Sequence, residues 1–500
     1  MEEHLNLSVL IGCLVLLAAV LAVRLASRSG LPVLLLYLAL GMAIGEAGLG
    51  LEFEDYGLTA DLGLIALAVI LAEGGLTTRW KTVRPVLPFA AVLSTLGVAV
   101  SVGVVAGAAL LLLGVDVRLA IILGGVVSST DAAAVFSVLR RLQLRDRLRA
   151  TLEAESGFND APVVVLVVLA SSPEWGSAGV ASTLALVCYE LAAGVVIGLV
   201  LGRLGALLLA RAALPSAGLY PLATVGLAML AFTTGNAAHA SGFLSVYVAG
   251  LVLGNVRLPH RRAVLGFAAS LALLAEAGLF ILLGLLVSPS RLPGALVDAL
   301  VIGAAATFLA RPLAIVLSAL PFRVPWREQV FLSWAGLRGA VPIVVATIPV
   351  TAGIANATRV VDVVFVLVVV YTLVQAPTLP LLGRLLRLVD RGKPTDLEVE
   401  TAPLDEMGAD LLQLRIREQS QLRGVRVSEL RLPEGAQVTL VVRKGQSLVP
   451  GPDTQLRTGD SLLVVATSGV RQATEDRLQA VARGGKLARW SDRAQAGPSA

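Results

Sequence analysis

The sequence predicts an all-α polytopic membrane protein of about 13 transmembrane helices with inverted repeats and broken helices. A small α+β cytoplasmic domain follows at the C-terminus. Three observations predict this. First, 56% of the 500 residues are hydrophobic and only 15% are charged, and the mean hydropathy is +0.83. A soluble fold cannot hide that much apolar surface. Second, the apolar runs last about 18–28 residues, which suits helical spans and not the roughly 10-residue alternating segments of a barrel. Third, the composition turns polar after about residue 390.

The formal charge of +5 does not point to nucleic acid; its meaning lies in where the arginines sit. Cys13 and Cys188 both fall inside apolar spans, so neither a disulfide framework nor a Cys/His metal cluster is expected. Residues 6–27 are too long for a signal-peptide core and lack a small-residue cleavage site.

In chain order the expected spans are 6–27, 30–49, 58–78, 86–113, 118–139, 150–172, 178–202, 217–238, 241–256, 263–288, 294–320, 328–349 and 358–386. Alternate loops carry nearly all the arginine. One set holds Arg24 and Arg28, Arg79 to Arg84, Arg140 to Arg149, Arg203 and Arg211, Arg257 to Arg262, Arg323 and Arg327, and Arg384 to Lys393. The other set has only Arg118, Arg291 and Arg359, together with the acidic Glu52, Glu54 and Asp55. The positive-inside rule makes the first set cytoplasmic. An odd span count then puts the N-terminus outside and the C-terminus in the cytoplasm of a cell (inner) membrane protein.

The transmembrane domain is expected over 1–390, a linker over 391–405, a soluble domain over 406–483 and a disordered tail over 484–500. In the soluble part, 436–442 and 461–466 read as strands and 470–482 as a helix.

A charge at the bilayer centre costs roughly 2.5–3.5 kcal/mol, so each one needs a reason. At about 1.5 Å per residue from the nearest cytoplasmic arginine, Asp131 lies about 14 Å deep, and Asp160 and Arg338 about 16 Å deep. All three fall near the midplane. Glu155 and Glu73 are shallower, at roughly 9 Å. Glu190, Glu276 and Arg311 read as interhelical contacts.

Three polar breaks interrupt the spans: Val127–Asp131, Glu155–Pro162 and Gly336–Pro342. Gly and Pro weaken a helix there and free backbone carbonyls for a cation. The first and third lie in corresponding halves of the chain, as inverted repeats require. On one helix Glu155 and Asn159 share a face, and Ser156 and Asp160 share the next. One face thus presents a hydroxyl and a carboxylate to an ion. The other holds Glu155 against a cation, and Arg338 is the available partner at depth. Asp131 either satisfies broken helix ends or joins the site, and Glu73 is either a funnel residue or a ligand.

Burial disfavours the charged form of a carboxylate. Such a group is neutralised by a proton or by a monovalent cation, and poorly by both at once. With alternating access this competition gives obligatory exchange. The neutral Asn159 beside Asp160, and a Glu155 occupied by an arginine, leave one exchanging carboxylate. One-for-one, electroneutral exchange is therefore expected.

The motifs Ser129-Thr130-Asp131-Ala132-Ala133, Glu155-Ser156-Gly157-Phe158-Asn159-Asp160 and Gly336-Leu337-Arg338-Gly339-Ala340 resemble those of the monovalent cation:proton antiporter-1 family, the NhaP-type exchangers. The resemblance covers most of residues 5–390. It implies a homodimer with a core bundle of crossed, unwound helices. It also implies that Asp160 exchanges cation for proton, and that Ser156, Glu73 and the Thr130 carbonyl complete the ion shell. Asn159 and Asp131 would shape that shell, and Glu155 and Arg338 would form a structural ion pair. Residues 425–466 resemble the TrkA-C (RCK C-terminal) regulatory domain, most clearly at Leu456–Leu462.

Antiporters with this appendage resemble the cell-volume-regulation type. That tips the transported cation toward K⁺, with Na⁺ (or Li⁺) exchange as the alternative. Membrane lipid is the surrounding partner; no cofactor is expected, and any regulatory nucleotide at the tail is undetermined. The remaining readings are a cation channel gated by an RCK-like domain and an intramembrane aspartyl protease. The first lacks a Gly-rich filter run, and the second lacks a Gly-x-Gly-Asp context.

Overall fold

A computed structural model describes residues 2–29, 32–46, 48, 50, 53–131, 144–176, 179–256, 258–388, 400–404, 409–416, 420–443, 445–467 and 469–484. Two compact units result, Met1–Asp390 and Arg391–Ala500. Arg140, Arg141, Arg257, Arg391 and Lys393 lie outside the described residues. So do the end of the span expected over 118–139, the linker over 391–399 and the tail from 485.

The first unit is helical. Besides a single turn at Trp80–Val83, its helices are α1 (Glu2–Ser29), α2 (Val33–Ile44), α3 (Tyr56–Thr77), α4 (Leu87–Leu113), α5 (Val117–Ser128), α6 (Asp146–Ser171) and α7 (Val180–Arg211). They continue with α8 (Leu219–Ala237), α9 (Gly242–Asn255), α10 (Arg261–Leu286), α11 (Leu292–Phe322), α12 (Trp326–Trp334), α13 (Ala340–Thr351) and α14 (Ala357–Leu385). Seven described helices are long and apolar enough to cross a membrane, and shorter apolar helices fill most of the remaining expected spans.

The short ones have visible causes. Helix α5 stops at Ser128, and Ser129 turns extended at φ −66°, ψ 143°. The span expected over 328–349 is two half-helices, α12 and α13, separated at 335–339. Helices α4 and α11 are continuous but widen into π-turns at Leu93–Gly97, Ala109–Leu113 and Ala305–Ala310. Such turns change which side chains face inward.

The helices sort into two groups by packing. Helices α2, α3, α7, α8, α9 and α10 pack mainly on one another, and α4, α5, α6, α11, α13 and α14 form the second group. The main seams between them are α3 on α13 and α9 on α6. Small residues allow close approach, as is usual where lipid removes the hydrophobic drive between helices. A Cβ on Gly75 of α3 would stand 2.4 Å from the Tyr247 carbonyl of α9.

The second unit is a five-stranded antiparallel sheet in the order β1-β2-β5-β3-β4, with β1 (Glu400–Leu404), β2 (Ala409–Arg415), β3 (Ala436–Arg443), β4 (Gln446–Leu448) and β5 (Ser461–Thr467). Helix α15 (Arg471–Gly484) contributes Leu478, Val481 and Ala482 to the core over Leu412, Leu414, Leu462 and Val464. The linker expected over 391–405 is corrected at its end, because 400–404 pairs with β2 as an edge strand. Its Pro403 is tolerated there, since an edge strand leaves backbone donors unpaired on one side.

Candidate functional site

Helix α6 carries Glu155, Ser156, Asn159 and Asp160 in its middle stretch, with Pro162 two residues on. Pro162 has no N–H, so the Phe158 carbonyl loses its helical donor. The broken end of α5 lies against this face. The Ser129 hydroxyl donates to Asp160 Oδ1 at 2.9 Å, and the Ser156 hydroxyl donates to the Thr130 carbonyl at 2.9 Å. Asn159 Nδ2 donates to Thr130 Oγ1 at 2.7 Å. Asp160 is 5% exposed and Asn159 1%. Among the described residues no arginine or lysine stands in ion-pair range of Asp160.

The two breaks meet. The Asp131 N–H donates to the Leu337 carbonyl at 2.8 Å. Arg338 Nε donates to the Val127 carbonyl at 2.9 Å, in the last turn of α5, where helical carbonyls lack partners. A Cβ on Gly339 would stand 1.7 Å from Asp131 Oδ2, so that carboxylate lies against the backbone that begins α13. A cation therefore faces the negative end of one half-helix, and an anion faces the positive end of the other. Thr307 and the Gly336 carbonyl lie 3.5 Å from Arg338 Nη1.

The expected ion pair of Glu155 with Arg338 is corrected. Glu155 pairs with Arg311: Nη1 meets Oε1, and Nη2 meets Oε2 at 2.9 Å. Both side chains are buried, at 2% and 8% exposure. Arg311 follows the π-turn of α11, which aims it at α6, while Arg338 is held by the end of α5. The reading of Arg311 as a generic interhelical contact misses this role. Its local signal is Pro312, which cannot bond the Phe308 carbonyl and so permits the wider turn. Ser129 also lies outside the expected ion shell, yet its hydroxyl is on Asp160. A short polar run in an apolar span is its only sequence mark.

Glu73 is half-buried on α3, and the acidic group whose charge acts on it is Glu153, one turn before Ser156 on α6. For Asp160 that neighbour is Asp131. The arrangement brings together Ser129, Thr130, Asp131, Ser156, Asn159 and Asp160, while Glu73 has no described hydrogen bond or ion pair to this group. Its donors to an ion are all oxygens, from a carboxylate, hydroxyls and a backbone carbonyl. Hard monovalent cations favour such sets.

The family described as sodium/hydrogen exchanger, transmembrane, matches residues 14–385, and the TrkA-C domain matches 411–479. The K(+)/H(+) antiporter NhaP of Alkalimonas amylolytica is 35% identical over 478 residues, 93% of this chain and 82% of its own length. The K(+)/H(+) antiporter NhaP2 of Shewanella oneidensis is 35% identical over 473 residues, again 93% of this chain and 82% of its own length. The Na(+)/H(+) antiporter 1 of Methanocaldococcus jannaschii is 26% identical over 373 residues, 70% of this chain and 83% of its own length. The solved structure of the sodium proton antiporter MjNhaP1 from that organism shares the fold. Its TM-score is 0.67 at 23% identity, covering 77% of this chain and 99% of the other.

Proposed function

This chain belongs to the sodium/hydrogen exchanger family, and from that premise we propose that it exchanges one K⁺ for one H⁺ at Asp160. The observation that carries the reading is the contrast between two buried acids on one helix. Glu155 is neutralised by both terminal nitrogens of Arg311, whereas Asp160 holds only the Ser129 hydroxyl among the described hydrogen bonds. One acid is structural and the other is open to exchange. Ser156, the Thr130 carbonyl and Ser129 supply neutral oxygens around the ion, Asn159 and Asp131 shape the pocket, and Glu73 stands on the path to it. A bound proton and a bound K⁺ each leave the site neutral, so exchange carries no net charge.

Support for K⁺ comes from the two relatives at 35% identity whose names specify it and which match across both domains. The arginine distribution supports an outside N-terminus and a cytoplasmic C-terminus. Helices α1 and α7 present long exposed leucine faces, including Leu14, Leu17, Leu21, Leu184, Leu204 and Leu208, which suit a homodimer seam or lipid. The TrkA-C region is read as a regulatory domain.

The test is proton flux in proteoliposomes under K⁺, Na⁺ and Li⁺ gradients. K⁺-driven flux without current, abolished by Asp160→Asn, is the expected result. Equal or faster flux with Na⁺ overturns the choice of K⁺, and normal antiport by Asp160→Asn overturns the site.

A further inference from the structure

Arg118 stands in the first turn of α5, on the arginine-poor face of the membrane domain. A cation there needs a reason, since the loops of that face otherwise hold only Arg291 and Arg359. Those two meet carboxylates, Asp362 at 3.5 Å and Asp298 at 2.6 Å. Among the described residues Arg118 has no carboxylate in ion-pair range. It reaches the end of α6 instead: Nε donates to the Ala170 carbonyl at 2.7 Å, and Nη2 donates to the Ser172 carbonyl at 2.6 Å. A cation in the first turn works against the dipole of its own helix, whereas the last carbonyls of α6 are the negative end of another. The guanidinium thus serves α6. Asp116 caps α5, accepting from the N–H groups of Arg118 and Leu119 at 3.1 and 3.2 Å.

This contact is in register with the ion site. Ser129 lies eleven residues after Arg118, about 16 Å along α5. Asp160 lies ten residues before Ala170 and twelve before Ser172, about 15–18 Å back along the antiparallel α6. One register therefore joins Arg118 to the end of α6 and the Ser129 hydroxyl to Asp160 Oδ1 at 2.9 Å. Between the two contacts the seam is apolar and close: a Cβ on Gly125 would stand 3.0 Å from Val167 Cγ2. Lipid removes the hydrophobic drive between such surfaces, so the polar contacts at the two ends carry much of the resistance to an axial slide.

We propose that Arg118 is a positioning residue for exchange: by clamping the end of α6 it sets the register of α5, and so holds the Ser129 hydroxyl and the Thr130 carbonyl at the level of Asp160. It touches neither the cation nor the exchanging carboxylate. Two bonds from a planar guanidinium fix direction as well as distance, which a single ammonium does not. With that end of the helix pair pinned, the broken end of α5 keeps its place. Ser156 and Asn159, which bond the Thr130 carbonyl and hydroxyl, share the same register.

The proposal rests on the exchange reading of Asp160, and the experiment separates the two. Proteoliposomes carrying the full-length protein report proton flux as K⁺ is added at ionic strength held constant with choline. Normal flux in Asp160→Asn overturns both readings. Arg118→Met keeps the side-chain stem and removes both bonds. It should raise the half-saturating K⁺ concentration roughly fivefold, less than outright loss of a hydrogen bond to a charged group, with the maximal rate kept. Independent effects multiply at such a distance, but here the Arg118→Met, Ser129→Ala double variant should fall at least about twofold short of the product of the single effects. Arg359→Met breaks another pair on the same face; it should barely move half-saturation, and should multiply with Ser129→Ala. Unchanged half-saturation in Arg118→Met overturns the positioning role while leaving Asp160 untouched. So does a raised value that multiplies with Ser129→Ala, a lower maximal rate at normal half-saturation, or the same shortfall with Arg359→Met, since each marks a general loss of packing. If Arg118→Met does not fold, Arg118→Gln, which can still give one neutral hydrogen bond, enters the same cycle, and full multiplication there overturns the proposal equally.

Discussion

Arg311 closes on Glu155 with both terminal guanidinium nitrogens, the second at 2.9 Å, deep in the helix bundle. Arg338, the arginine set nearest the midplane by its sequence position, serves the Val127 carbonyl instead. The two arginines therefore divide the labour: one neutralises an acid, and the other neutralises a helix end.

Breaking the Glu155–Arg311 pair from one side should be costly. Arg311→Met should lower stability by about 3–5 kcal/mol, because it strands a buried carboxylate. Adding Glu155→Gln to it should recover much of that loss, and adding Glu155→Gln to Arg338→Met should not. Thermal unfolding of the detergent-solubilised protein measures this, and recovery in the Arg338 combination alone would reassign the pair.

The crossing of the two breaks depends on a glycine. Gly339→Ala would drive a methyl to within 1.7 Å of Asp131 Oδ2 and 2.8 Å of its Cβ, so the Asp131 side chain would have to leave its place. Loss of exchange is expected, together with a lower yield of folded protein, whereas Gly353→Ala, where a Cβ meets nothing, should be milder. Its positive φ of 71° still carries some strain. Size-exclusion profiles and vesicle flux together check the order of the two.

Ser129 holds the exchanging acid directly. Hydrogen bonds to charged groups contribute about 1.5–3 kcal/mol, so Ser129→Ala should weaken K⁺ binding roughly tenfold or more. Ser129→Thr, which keeps the hydroxyl, should retain most of it. Half-saturation of K⁺-driven proton flux is the readout.

In the sheet domain, Asp460 is buried, and Arg443 reaches both of its oxygens at 2.9 and 2.8 Å. Burial pushes its pKa up, but the Arg443 hydrogen bonds, the Arg457 N–H at 2.8 Å and both arginine charges outweigh that and hold it below the ordinary 3.8. A depressed carboxyl stabilises the fold above 3.8, and that contribution is lost as pH falls through the lowered value. Hydrogen exchange on full-length protein should show 409–484 loosening below pH 3.8, with little change between pH 5 and 7. Asp460→Asn should loosen the same segment already at pH 7 and abolish the acid dependence.

Much of this architecture is written in one dimension. Hydropathy and run length determine that the chain crosses a membrane as helices, because lipid offers no partner to an unpaired backbone group. Arginine asymmetry sets the proposed orientation, and the polar runs mark where Asp160, Ser156 and Thr130 lie; two of the three break a helix as expected, whereas α6 runs unbroken through Glu155–Pro162. The β-rich tail is legible from its alternation, as in Leu462, Val464 and Ala466, which all point into the core.

What only the tertiary structure decided is pairing. Depth along a helix is countable from the sequence, but azimuth and neighbour are not. Arg338 is the partner that sequence position offers Glu155, yet after a π-turn at Ala305–Ala310 a different arginine meets the acid. Ser129 likewise reaches Asp160 only because α5 stops one residue before it and the chain turns extended. The physical reason is common to both. Transfer from water acts on each residue by itself, whereas a hydrogen bond or an ion pair needs two groups in one place.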